Sequence, residues 1–509
     1  LSYFLDDNLP AQVNYELNTV GSISTLYFRQ IENWRMIRRL MQGTRRIREL
    51  AEDYLPRHFR EPVDQYKIRL HRAVFTNYFR DAVMNCVSRP FSRKVVFTKE
   101  TPELMKPWEE NIDLKGSTLH TFARLAFLDA VQDGMVHILV DYSRLPDGAT
   151  LGDEQALGAR PYLVRVPAVN LIAAYMGEVN GEQVCVHARI MERHVVRDGY
   201  VERTVDRVRV LEPGRYQVFS NLEGQWALED EGEVKVRGQL LDRVPLFTFY
   251  AGDKIDDFWV TPPFIDLAYK NIQHYQLSSD DDAARTRSNF AMLAVKPSDG
   301  SMIEGVPNPV SGQEEFIFGA DSLLKGDWYY VEPHGRALTS NEHAIKRLEH
   351  EMQVLGGAPF QQKGGSSATA TEASINSADS TSMIKEWTIE FNNILSRCID
   401  MMAWWAGFEE GAGVMMNSDF QLGNGLVDMQ TLLQMRTTGD LSRHTLYEEG
   451  QRRGVLSITF DPDQEVDRIE QEKPTYAPAG ITGHPGGMDP AQLPQDIGGD
   501  GASTGMLPN

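Results

Sequence analysis

The chain has 509 residues, of which 41% are hydrophobic and 24% charged, and its net charge is −21 at pH 7. That length exceeds one hydrophobic core and calls for about two to four structural units of ordinary globular composition. A protein that grips duplex needs a basic face to neutralise phosphates, so this balance excludes tight nucleic-acid binding as the default and leaves room for a chain that stays near DNA without sticking.

Cys86, Cys185 and Cys398 stand far apart without CxxC spacing. This sets aside a disulfide framework or zinc cluster and makes a reducing compartment the expectation. No stretch approaches the roughly 18 apolar residues of a membrane span, so no membrane partner is expected. No signal peptide is evident, and because the numbering opens on Leu1 rather than Met the natural N-terminus is expected to be trimmed.

Residues 1–30 are mixed, with Asp6, Asp7, Pro10 and Gly21 breaking any period. From about 30 to 55 the spacing of Met36, Ile37, Leu40, Met41, Ile47 and Leu50 predicts a helix. A second helix is predicted over 63–89, with Val74, Phe75, Tyr78, Phe79, Val83 and Val87 on its buried side. Arg35, Arg38, Arg39, Arg45, Arg46 and Arg48 crowd the first of these. They read either as a solvated face with salt bridges to acidic neighbours or as a basic surface for phosphates or an acidic partner. Residues 116–134 form a third helix, capped by Ser117 or Thr118 and ended by Gly134. "MVHILVDY", "RPYLVRVPAVNLIAAYM" and "ERTVDRVRVLEPGRYQVFS" follow as strands, with turns at Pro213–Gly214 and Asn221, so 135–250 is mostly β and a mixed α/β domain ends near 262.

The character then changes. Residues 263–289 make a glycine-free helix of about 40 Å. Its apolar residues, among them Phe264, Leu267, Ile272 and Tyr275, thin out towards "SSDDDAARTRS". A helix polar over its far half must pack on a polar surface or on copies of itself. Residues 290–337 are short and β-like. A return helix follows, with a capping pattern from Thr339 or Ser340 to Glu342 and a stop at Gly356–Gly357. "LGGAPFQQKGGSSATATEA" separates it from a long helix over about 372–406, and two shorter helices occupy 426–456. From Pro474 the chain is Pro/Gly/Ala-rich, cannot bury a core, and is expected to need a partner or neighbouring subunit to order it.

Enzyme signatures fail one by one. A P-loop needs its lysine after the second glycine and a strand before it, whereas Lys363 precedes Gly364–Gly365 and a helix comes first. His350–Glu351 begins HExxH, but Val354 stands where the second histidine belongs. Asp280, Asp281 and Asp282 are consecutive on a helix and so point in different directions, which suits a solvated or subunit-facing acidic patch better than one ion. No catalytic residue, metal ligand or cofactor is assigned. The rival reading is an intracellular, metal-assisted hydrolase with an acidic site near Asp280–Asp282.

The order of elements, together with "LMQGTRRIRELAEDYLPRH", "YKIRLHRAVFTNYFRDAV", "GSTLHTFARLAFLDAVQDGMVHILVDY", "PPFIDLAYKNIQHYQLSSD" and "LEHEMQVLGGAPF…TATEA", resembles the bacteriophage portal proteins. The likeness is to a branch first recorded as a domain of unknown function, and it runs from about residue 40 to 375, leaving the tail aside. The resemblance implies a non-enzymatic α+β multi-domain portal fold: wing 1–262, stem helices 263–289 and 338–355, clip 290–337, tunnel loop 356–373, connecting helix 374–409, crown 410–473 and tail 474–509. It also implies a ring, usually a dodecamer, at one capsid vertex of the virion, assembled in the host cytoplasm. Double-stranded viral DNA would pass through it without sequence preference during packaging, retention and ejection. The implied partners are the terminase large subunit, head-to-tail adaptor proteins, the major capsid protein and scaffold. In such a loop Gly356, Gly357, Gly364 and Gly365 would give backbone freedom, Ser366, Ser367, Thr369 and Thr371 would leave no large anchor, and Lys363 would either touch phosphate or point to solvent.

Overall fold

A computed structural model describes residues 18–143, 156–222, 224–288, 292–297, 306–307, 314–315, 326–331, 336–356, 370–408, 411–417, 425–452, 456, 460 and 462–472. The chain is mixed α plus β and multi-domain, with two compact units, Leu1–Leu422 and Gly423–Asn509.

In the first unit, α1 (Thr25–Gln42) starts where the Ser24 hydroxyl accepts the Tyr27 N–H, and it buries Tyr27, Ile31, Trp34, Ile37 and Leu40 at helical spacing. The single helix expected to run on to 55 is interrupted. Gly43 at φ 78° ends α1, and a short α2 (Thr44–Glu49) restarts the chain in a new direction. The helix expected over 63–89 is likewise two, α3 (Val63–Arg72) and α4 (Tyr78–Ser88). Between them Val74 is exposed rather than buried, and Asn77 caps α4 by accepting the Arg80 N–H. Helix α5 (Leu119–Asp133) begins at Thr118, whose hydroxyl accepts the Thr121 N–H. It ends at Gly134 with φ 91°, where a Cβ would meet a Val260 methyl at 2.9 Å.

Strands β1 (Met135–Tyr142) and β2 (Pro161–Pro167) pair antiparallel. A five-stranded antiparallel meander follows: β3 (Leu171–Val179), β4 (Glu182–Asp198), β5 (Val201–Glu212), β6 (Arg215–Leu222) and β7 (Gln225–Glu233). Strand β8 (Leu246–Tyr250) returns to the other edge of β1, completing a three-stranded sheet in the order β8-β1-β2. A small hairpin, β9 (Asp253–Asp256) and β10 (Trp259–Thr261), leads out of the sheets. The core joins the three-stranded sheet to the helices, with Phe127 of α5, Phe249 of β8 and Phe391 within 5.1–5.8 Å of one another by ring centroid. A second apolar cluster seats α1 under the meander through Tyr27, Ile31, Trp34, Ile172, Val208 and Val210. Where the two meet, Trp34 donates to the Asp133 carbonyl at 2.9 Å, and the fully buried Asp133 carboxylate takes Arg38 at 2.5 Å. All three cysteines are free and buried.

The long helix α6 (Ile265–Ser288) follows, then β11 (Met292–Pro297) and β12 (Gly326–Val331), which pair antiparallel over six residues each. Helix α7 (Arg336–Leu355) begins ahead of the Thr339/Ser340 capping pattern, which therefore lies inside it. Helix α8 (Ala370–Trp405) buries Ile384, Trp387, Phe391, Leu395, Cys398, Ile399 and Met402. In the second unit the described residues hold α9 (Gly425–Thr438), α10 (Arg443–Arg452) and α11 (Pro462–Glu472). Sequence periodicity finds the first two. The third is almost wholly polar, and its signals are confined to its start: Asp461 in the sequence just before it, Pro462 at the first position, and Asp463 and Glu465 in the first turn.

Candidate functional site: the helical arm and its root

Helices α6 and α7 form an antiparallel pair. Lys270 near the start of α6 meets Glu351 near the end of α7 at 2.7 Å, and His274 lies 3.5 Å from Glu349. The 24 residues of α6 span about 36 Å at 1.5 Å per residue. The near half is rooted in the body by Phe264 just before α6, by Leu267, Ala268 and Tyr275 from α6, and by Leu348 and Met352 from α7. The far half carries charge instead, with Arg285 on Asp281 at 2.5 Å and Lys346 on Glu342 at 2.7 Å. Three residues after α6 and four before α7 lead to β11 and β12, so the helix pair runs on into a two-stranded ribbon.

Polar groups as well as apolar ones hold the root. Asn271 is 0% exposed. Its side-chain oxygen accepts the Phe79 N–H at 3.1 Å and its amide donates to the Thr76 carbonyl at 2.8 Å. It thereby fixes the break between α3 and α4. Beside it, Tyr78 packs edge-on against His274 at 5.4 Å, and burial together with Glu349 pushes the Tyr78 hydroxyl up to about 12. Farther along, the buried Arg69 of α3 binds Glu61 at 2.7 Å and Asp280 at 3.3 Å. The guanidinium holds the Glu61 carboxyl below the usual carboxylate range. Hydrogen-bonded Lys270 does the same to Glu351. Sequence reasoning missed Asn271, Arg69 and His274. Asn271 and His274 have partners 195 and 75 residues away, and Arg69 joins Glu61, eight residues before it, to Asp280, 211 residues after; the available signal was that each sits on the apolar stripe of its helix.

The predicted site residues fall as follows. Asp280 faces Arg69 and also His58 at 3.1 Å, Asp281 turns inward to Arg285, and Asp282 is exposed. The three carboxylates thus go three ways, and among the described residues no three His, Cys, Asp or Glu side chains gather as a metal site. The arginines of the first helices are engaged within the chain. Arg35 binds Glu32 at 2.5 Å, Arg38 binds Asp133, and Arg39 lies 3.8 Å from Asp53. Arg45 and Arg46 share Glu49 at 3.0 and 3.3 Å, and Arg48 donates twice to the Ala73 carbonyl. Of these Arg45 is the most open to solvent. Gly356 is buried: its N–H bonds the Met352 carbonyl at 2.9 Å, and a Cβ there would lie 3.3 Å from Ala82. It closes the helix against α4 rather than supplying loop freedom. Gly357, Lys363, Gly364, Gly365, Ser366, Ser367 and Thr369 lie outside the described residues, as does the tail from 473.

A groove of about 720 Å³ opens between β8, the 239–245 segment and α8, with Leu240, Arg243, Arg397 and Trp404 on its walls. Cys185 also lines it, and burial pushes that thiol up to about 11, which disfavours the thiolate.

Residues 263–406 match a family model described as a domain of unknown function, DUF4055. The matched stretch takes in the arm, the ribbon strands, the 357–369 segment and α8. No curated protein matches. Among solved structures, the chain is similar to one titled virion of a native gene transfer agent particle, at 12% identity and TM-score 0.38 over 80% of this chain and 97% of that one. A second, the neck of an empty gene transfer agent particle computed with C6 symmetry, gives 14%, 0.42, 80% and 98%. A third, the neck of a native particle computed with C12 symmetry, gives 12%, 0.38, 81% and 99%. Likeness at this level assigns no function to this chain.

Proposed function

We propose that this chain is a phage portal subunit: a non-enzymatic, ring-forming conduit for double-stranded DNA that also docks the packaging motor and tail adaptor. The observation that carries the reading is the arm. An antiparallel helix pair is anchored by buried groups at one end, is polar at the other and continues into a β-ribbon. A pair so polar over its far half has no apolar face to bury there, and side-by-side copies in a ring supply the surface that it lacks. In this reading residues 263–289 and 338–355 are the stem, 290–337 the clip where motor and adaptor dock, and 1–262 the wing. Residues 356–373 are the tunnel loop, 374–409 the connecting helix, 410–473 the crown and 474–509 the tail.

The charge follows the same logic. Many copies of a −21 chain around a bore repel phosphates from the wall, so DNA slides rather than sticks. The hydrolase reading gains no support from the arm, because Asp280 and Asp281 are each held by an arginine. The test is electron microscopy of the purified protein viewed down its long axis. Rings, usually of twelve, with a bore wide enough for duplex are expected. Monomers or dimers at high concentration would sink the proposal.

A further inference from the structure

A second charged surface lies beside the root of the arm. The chain after Leu55 folds back over α3 because buried Arg69 gathers it, donating to the Pro56 carbonyl at 2.9 Å and to both oxygens of Glu61. Tyr66 ties the same turn through the Leu55 carbonyl at 2.9 Å. The clamp occupies Arg69, Glu61 and Asp280 and leaves a fixed platform outside them. On it Arg57, Phe59, Arg60, Ile68 and Arg72 are exposed, Phe59 to 98%. Ile68 and Arg72 are one helical turn apart and share a face. None of Arg57, Arg60 and Arg72 has a carboxylate partner among the described residues.

A surface of opposite kind lies on α8 and the β9–β10 hairpin. Glu386 and Glu390 are exposed, four residues apart, and repel each other, with no cation bonded to either among the described residues. Partial covering of its carboxyl and the neighbouring Glu386 push Glu390 up, although the residue as a whole is exposed. Lys254, whose charge reaches Glu390, is itself held by Asp257 at 2.6 Å and lies over the Tyr250 ring. Ile389 is exposed between the two glutamates on α8, and Ile255 and Asp256 are exposed on the hairpin.

We propose that these are the two halves of one contact between copies of this chain, the Arg57–Arg72 surface of one subunit seating on the Glu386–Glu390 surface of the next. The proposal rests on the ring reading above and names the faces that make the ring. A ring of more than two subunits needs two different faces on each, and these two are complementary in charge and both interleaved with exposed apolar side chains. Phe59 and Ile68 favour a protein partner over nucleic acid, since a phosphate backbone offers no apolar seat.

The full chain is compared by native mass spectrometry and negative-stain microscopy in four forms: wild type, Arg60→Glu/Arg72→Glu, Glu386→Lys/Glu390→Lys, and the combination of all four changes. Each two-residue variant should raise the protein concentration at which rings form by on the order of tenfold or more, because opposite charges become like charges across the contact. The four-residue variant reverses every pair and should form rings as the wild type does. Normal rings in either two-residue variant overturn the contact, as does no recovery in a four-residue variant that melts like wild type. If reversal disturbs folding, Arg60→Gln/Arg72→Gln and Glu386→Gln/Glu390→Gln are read in the same way. Normal rings with weakened duplex capture in the basic-face variant would assign that face to DNA and overturn the contact. A wild type that stays monomeric removes the ring reading as well, whereas rings in every variant remove the contact alone.

Discussion

Replacing Asn271 with Leu should loosen the root of the arm without leaving a void. The two side chains are close in size, so the cavity contribution is small. One buried backbone group loses its partner, the Phe79 N–H, now at 3.1 Å from the side-chain oxygen; the Thr76 carbonyl loses the amide at 2.8 Å but keeps the Tyr78 N–H at 3.1 Å. A buried group left unsatisfied costs about 1–3 kcal/mol, and the carbonyl that keeps one bond adds little, so the change costs about 1–3 kcal/mol. A single global unfolding energy is a poor readout for a chain of several units. Hydrogen–deuterium exchange at residues 76–79 reads the site directly. A local cost of about 2 kcal/mol speeds exchange at the Phe79 amide by about 30-fold, and larger costs by more. Exchange within about threefold of wild type would show that the segment between α3 and α4 is held by packing alone, and the argument from Asn271 would be refuted.

Three other outcomes follow from the same geometry. Gly134→Ala combines a left-handed backbone with a Cβ 2.9 Å from Val260 and should cost about 2 kcal/mol or more, visible as a lower melting temperature; an unchanged melt counts against the close approach. Fully buried His137 has its imidazole pushed down from 6.5 to about 3 by burial. The unfolded chain therefore takes up the proton first as pH falls. The stability tied to the neutral ring is intact above pH 6.5 and is lost towards pH 3, at up to about 1.4 kcal/mol per pH unit. His137→Phe should flatten that dependence in denaturant midpoints taken between pH 4 and 7, and an unaltered slope would reassign it to other groups. Under the portal reading Lys363→Ala should leave ring assembly intact and alter DNA packaging or retention; normal packaging removes the lysine from the mechanism.

What could be read from the sequence was whatever is written locally. Thr118 and Gly134 bracket α5 through a cap and a left-handed stop, both within reach of their own helix. Met135–Tyr142 is legible as a continuous apolar run because both its faces are buried, and the runs that follow read as strands that pair with neighbours already nearby in sequence. The break at 73–77 was not legible, since its cause is Asn271, almost 200 residues downstream. Nor was the start of α7, where residues 336–338 extend the helix past a plausible cap. The arginines of the first helices show a different limit. Their density is plain in the sequence, but Arg38 finds Asp133 and Arg48 finds the Ala73 carbonyl only once the chain has folded. Lys363 and its glycines, which prompted the loop reading, lie outside the described residues, so that reading rests on sequence and resemblance.

The three cysteines have a practical consequence. Burial pushes each thiol up, Cys86 to about 12 and Cys185 to about 11, with Cys398 raised as well. A maleimide dye, which reacts with exposed thiolates, therefore finds little background on the native chain. A cysteine introduced at Tyr200, 99% exposed at the tip between β4 and β5, would be labelled selectively. The wild-type chain is in this sense ready for single-site fluorescence, with no need to strip out its own sulfurs first.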